Sequence, residues 1–181
     1  IDGMSKKEFI KSKFLTVVGF ALVSTVYVFL MSLILGLCFS SYKEPSIIFS
    51  EMEYLIAFFV KLVGFFSFCL FLGILVKRSA FALGFLLVWY MGEGIIYGTM
   101  RWKTFNESTA DTIASFFPAQ SFSNLIVEPF TRLSPIKTMQ GQIGMNAVKD
   151  YSVHFSSIAI ALAWTVIFVL ISYQLLKKWD L

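Results

Sequence analysis

Residues 14–41 read FLTVVGFALVSTVYVFLMSLILGLCFSS, without one charged side chain. A helix needs roughly 20 apolar residues to cross a bilayer. In hydrocarbon its backbone amides must be bonded within their own segment. The run is therefore read as a membrane-spanning helix, and three more follow it. Tyr54 to Val76 holds one charge, Lys61, and closes on Lys77-Arg78. Ser79 to Met100 holds one, Glu93, and Phe155 to Leu176 holds none before it stops at Lys177-Lys178. Composition agrees: 57% of residues are hydrophobic, 14% are charged and the mean hydropathy is +0.78. A soluble domain is about 45–50% apolar and 25% charged. A chain of 181 residues cannot hide the excess in one water-facing core, so lipid must cover it.

Lysine and arginine placement sets the expected orientation. The segments before span one, between spans two and three and after span four share a side. They carry Lys6, Lys7, Lys11, Lys13, Lys77, Arg78, Lys177 and Lys178. The opposite side carries Lys43, Arg101, Lys103, Arg132, Lys137 and Lys149, spread over far more chain. The denser set abuts helix ends and is expected in the cytoplasm, together with both termini. A net charge of +4 follows from this placement and does not point to nucleic acid.

Residues 101–154 then lie outside, a long connector. Ser108-Thr109-Ala110-Asp111 can start a helix that runs to Phe117, where Pro118 stops it. A second apolar stretch, Phe122 to Val127, ends at Pro129. Phe116, Phe117, Phe122, Leu125 and Ile126 favour one or two short helices that dip into the outer interface or cap the bundle. The alternative is an ordinary external loop with a few aromatic residues.

Lys61 and Glu93 are the ionisable residues deep in the spans, where a charge costs a few kcal/mol on insertion scales. Spans two and three form a hairpin about Lys77-Arg78. At ~1.5 Å per residue both charges sit roughly 23 Å from that turn. A Lys61–Glu93 pair across the hairpin is geometrically available, and Gly92 and Gly94 would permit close approach of a neighbouring backbone. Two alternatives stand beside it. Lys61 can snorkel outward while Glu93 faces a water-filled recess, or the two can act on substrate or ion directly.

The opening, Ile-Asp-Gly-Met-Ser-Lys-Lys-Glu-Phe-Ile-Lys-Ser-Lys (1–13), gives Ser5 and Glu8 the spacing of a capping box. Gly3 allows a sharp bend just before it. Phe9 and Ile10 give the short helix an apolar side, with Lys6, Lys7 and Lys11 available to solvent or acidic partners. These residues resemble the coupling-helix region of type-2 permeases of bacterial ATP-binding-cassette exporters. The ending Ile-Ser-Tyr-Gln-Leu-Leu-Lys-Lys-Trp-Asp-Leu (171–181) is similar to that family's close. Phe117-Pro118-Ala119-Gln120, Asn124-Leu125-Ile126 and Pro129-Phe130 are similar to its external segment before the last span.

The resemblance implies one permease domain over 1–181, with spans at about 14–41, 54–76, 79–100 and 155–176 and an external segment at 101–154. Its amino-terminal part would lie outside these residues, as the start at Ile1 also suggests. The fold expected is an all-α helical integral membrane protein with four transmembrane helices. A short cytoplasmic coupling-type helix and a long external loop with short helices complete it. Ser5, Lys6, Lys7, Glu8 and Phe9 would dock a nucleotide-binding ATPase subunit that carries the ATP and magnesium. A second permease half, commonly an identical copy, would complete the pathway in the cytoplasmic (inner) membrane.

No enzyme constellation is expected. His154 is the one histidine, at an outer helix boundary, and Cys38 and Cys69 lie in separate apolar runs. There is no HExxH pattern and no glycine-rich phosphate loop. No metal or cofactor is expected in this chain. A passive channel or carrier would want polar residues along several spans, and spans one and four offer few. A scaffold or accessory subunit keeping a permease fold is the third reading.

Overall fold

The structure is a computed structural model describing residues 5–39, 49, 51–104, 107–127 and 151–178. The expected bend at Gly3, the stop at Pro129 and the end of the basic-aspartate tail lie outside the described residues. Helix is the regular structure found among the described residues, in the order α1 (Lys6–Phe39), α2 (Glu53–Val76), α3 (Ser79–Thr99), α4 (Glu107–Ala114), α5 (Pro118–Ser123) and α6 (Phe155–Lys178). A π-helical turn, Met100–Thr104, extends α3. Helices α1, α2, α3 (with its π-helical turn) and α6 are long and apolar enough to cross a membrane, as the four charge-poor runs require. This is the architecture of a multi-pass membrane protein.

Helix α1 departs from expectation in one respect: the lead-in is not a separate short helix. Ser5 caps it as its spacing with Glu8 predicts. The Ser5 amide and hydroxyl donate to Glu8 Oε2 at 2.8 Å each, and the Glu8 amide donates to Ser5 Oγ at 3.3 Å. From there the helix runs without a break for 34 residues. The reason is local: neither glycine nor proline occurs between Lys6 and Val18, and most of these side chains are good helix formers. At 1.5 Å per residue α1 is about 51 Å long, against roughly 30 Å of hydrocarbon.

Helices α1 and α3 run in one direction, α2 and α6 in the other. Lys6, the Lys77-Arg78 turn and Lys178 therefore gather at one end, here termed the basic end; the opposite end is the loop end. The turn between α2 and α3 is short because Lys77 takes a left-handed conformation (φ 58°) and its amide returns to the Gly73 carbonyl at 3.1 Å.

Helix α2 is the centre of the bundle. Its buried face is Ala57, Val60, Val63, Gly64, Ser67, Phe68 and Leu72. Helix α6 packs most extensively on it, presenting Ala161, Thr165, Phe168, Ser172 and Leu176, a stripe of helical period. Small residues on both faces let the backbones approach, which is how helices associate where lipid is as apolar as leucine. Ser67 and Thr165 return their hydroxyl protons to the carbonyls of Val63 and Ala161, so burial leaves neither unsatisfied. Phe68 and Phe168 meet at 4.8 Å between ring centroids, with Phe71, Trp89 and Trp164 around them. Helix α3 adds Ala82, Leu86 and Trp89 to the same cluster. The large side chains left exposed on α1, α3 and α6 form the lipid-facing surface such a bundle needs.

Candidate functional site

The membrane charges and the connector between α3 and α6 form one site. Helix α5 begins at Pro118, whose missing amide and fixed φ suit the first helical position. The sequence reading expected Pro118 to end one helix and the next to start near Phe122. Instead α4 ends at Ala114 and proline opens α5.

The amides of Ala119 and Gln120 in the first turn of α5 have no intrahelical acceptor. Glu93 supplies one. Its Oε1 accepts from the Ala119 amide at 3.1 Å and its Oε2 from the Gln120 amide at 3.0 Å. Trp89 Nε1, one turn earlier on α3, donates to Oε1 at 2.6 Å. Glu93 is 7% exposed, so its charge is held by these hydrogen bonds rather than by bulk water. At the other end of α5, Lys61 Nζ donates to the Ser123 carbonyl at 3.2 Å. An anion at the amide end and a cation at the carbonyl end both match the helix dipole.

Depth makes this unusual for a connector. Lys61 lies roughly 12 Å inside the loop end of α2 and Glu93 roughly 9 Å inside that of α3. Helix α5 touches both, so it lies across the bundle at about that level. Phe122 reaches deeper. Its ring occupies the space beside Gly64, where an added Cβ would overlap it, and stands 6.4 Å from the Phe168 ring. Pro118, Ala119, Ser121, Phe122 and Leu125 are buried. The segment is re-entrant with respect to the bundle: α5 sits below the loop ends of α2 and α3, among their buried side chains.

Further bonds fix its approach. Trp164 Nε1 donates to the Phe116 carbonyl at 2.8 Å, serving the backbone just before α5. Tyr97 donates to Asp111 on α4 at 2.6 Å, and Arg101 donates to the Tyr97 hydroxyl at 3.1 Å. The Tyr54 hydroxyl donates to the Tyr151 carbonyl, tying the start of α2 to the approach of α6.

The hairpin arithmetic put Lys61 and Glu93 at one height, and the structure uses that height to hold the two ends of one helix. A short helix was expected in this connector, but not that it would start at Pro118 and lie between these two charges. The signal was a proline followed by two amides needing acceptors, in a chain with a single membrane-embedded carboxylate. Of the other expected site residues, Ser5 and Glu8 spend their polar side-chain atoms on the cap, Lys7 is exposed, and Lys6 and Phe9 are half-buried. Lys13 lies over the Phe9 ring at 5.6 Å. These residues stand at the basic end, far from Lys61 and Glu93. Among the described residues no group of His, Cys, Asp or Glu has the arrangement of a metal site.

No family model, curated protein or solved structure matches this chain.

Proposed function

We propose that this chain is the membrane-spanning permease portion of an ATP-binding-cassette exporter. A partner ATPase drives substrate outward along the interface between two permease halves in the bacterial inner membrane. The basic end faces the cytoplasm in this reading, and ATP and magnesium belong to the partner.

The observation that carries the proposal is the unbroken α1. A helix of about 51 Å overreaches the hydrocarbon by roughly 20 Å, and the charged turns before Phe14 make about 12 Å of that excess a rigid strut at the basic end. With Ser5 and Glu8 locked in the cap, Lys6, Lys7 and Phe9 are the surface offered to an ATPase. A push there is transmitted into the first span with no hinge between. The re-entrant α5 supports the same reading. Committing a buried Glu93 and a half-buried Lys61 to seat a short helix across the loop end suits a closure over a path better than a plain connector.

The test is to purify the protein from its native membranes in mild detergent and identify its companions by mass spectrometry. Phe9→Asp and a Lys6→Glu/Lys7→Glu double variant are purified alongside. A stoichiometric ATP-binding subunit that both variants lose is the expected result. Absence of an ATPase, or its retention by both variants, would overturn the docking assignment and promote the channel or accessory readings.

A further inference from the structure

We infer that the paired basic ends of α2 and α6 bind the phosphate headgroup of an anionic phospholipid. The two helices run parallel and pack along their length, so both carbonyl ends emerge together. Their register is set by Phe68 against Phe168, at 4.8 Å. Each phenylalanine precedes the lysine that begins its basic pair, Lys77 or Lys177, by the same number of residues. Equal rise brings Lys77-Arg78 level with Lys177-Lys178, and all of them are exposed.

Charge then decides what they fit. Each helix carbonyl end carries about half a negative charge, so two together offset roughly one of the three cations Arg78, Lys177 and Lys178. Among the described residues at this end the acid is Glu8, which is engaged by Ser5. A surplus of about two positive charges is left at the mouth of a helix pair, and an anion is the complement. Arg78 contributes a planar fork suited to phosphate oxygens, and its guanidinium lies 6.0 Å from the Phe81 ring centroid. Phe81 and Phe85, one turn apart on α3, give acyl chains an exposed apolar face beside it. These cations follow directly on apolar helix, at headgroup level, whereas Lys7 stands further out on the α1 strut. That position favours a lipid over a soluble polyanion. The inference rests on the membrane-spanning orientation proposed above, not on the exporter reading.

The test reconstitutes the chain in nanodiscs of equal phosphatidylglycerol and phosphatidylcholine, then reads the lipid retained after detergent extraction by native mass spectrometry. Phosphatidylglycerol should be retained in preference. Each basic residue near an anionic surface is worth roughly fivefold in affinity. Arg78→Gln/Lys177→Gln/Lys178→Gln should therefore abolish the preference, and Lys178→Gln alone, the milder variant, should reduce it severalfold. Lys7→Gln/Lys11→Gln should leave it intact. Equal retention of both lipids, or an unchanged preference in Lys178→Gln and the triple variant, would overturn the proposal. Loss of preference in the Lys7/Lys11 variant would replace the site with a diffuse field. Displacement of the lipid by inorganic phosphate would make soluble phosphate the ligand instead.

Discussion

Helices α1 and α2 read alike as long apolar runs, yet they occupy opposite places in the bundle. Helix α2 buries seven residues and α1 only two, Ile10 and Ala21, both toward the basic end. Phe20 meets Phe66 edge-on at 5.3 Å, and beyond Ala21 the loop-end half of α1 buries nothing. The helix whose spanning stretch, from Phe14 on, holds no charge is the peripheral one. In lipid, apolarity does not draw helices together; small residues, buried hydroxyls and charges with fixed partners do. Helix α2 carries Gly64 beneath Phe122, Ser67 and Lys61, and α1, α3, α6 and the re-entrant α5 all converge on it.

The strongest way to break this contrast is truncation of matched side chains. Phe68→Ala should cost about 3–5 kcal/mol, by its cavity and lost ring contacts, whereas Leu30→Ala on α1 should stay within roughly 0.5 kcal/mol. Reversible denaturation in mixed detergent measures both, and equal losses would put α1 in the core.

The polar clamp comes next. Glu93→Ala strands two amides of α5 and should cost about 3 kcal/mol, with Glu93→Gln roughly half that because one oxygen remains to accept. Lys61→Met should cost about 1 kcal/mol. If each residue holds its own end of α5, the double variant Lys61→Met/Glu93→Gln loses about the sum. Rescue in the double variant would instead establish direct pairing across the hairpin.

Glycines sharpen the comparison further. Gly64→Ala forces a methyl against the Phe122 ring and should cost roughly 1–3 kcal/mol. Gly19→Ala on α1 meets open space and should be neutral or stabilise by up to about 1 kcal/mol. The smallest effect is expected at Ser172, whose hydroxyl is buried without a hydrogen-bond partner among the described residues. Ser172→Ala should be neutral or stabilise by up to about 1 kcal/mol, in contrast to a loss at Ser67, and thermal melts of the two variants separate the cases.

Much of the architecture was legible because local rules governed it. Ser5 with Glu8 announced the start of α1, and Lys77-Arg78 and Lys177-Lys178 marked the ends of α2 and α6. The Lys61 and Glu93 levels followed from helical rise alone. The lead-in was misread as a separate short helix from its cap and apolar side, although no glycine or proline between Lys6 and Val18 supplies a break. The connector was read only in outline. Phe116, Phe117 and Phe122 signalled contact with something apolar, but not which turn would open at Pro118 or where Phe122 would lodge.

By itself the sequence determined that this protein is helical, that four helices can cross a membrane and which ends share a side. Those properties depend on segment apolarity, rise per residue and backbone hydrogen bonding, all local to a run of chain. Tertiary structure alone decided that α2 is central and α1 peripheral, and that Phe122 fills the space beside Gly64. It also gave Glu93 and Lys61 the two ends of α5. These outcomes depend on which backbones approach closely and which orphan amides and carbonyls meet a charge at the same depth, relations between residues far apart in the chain.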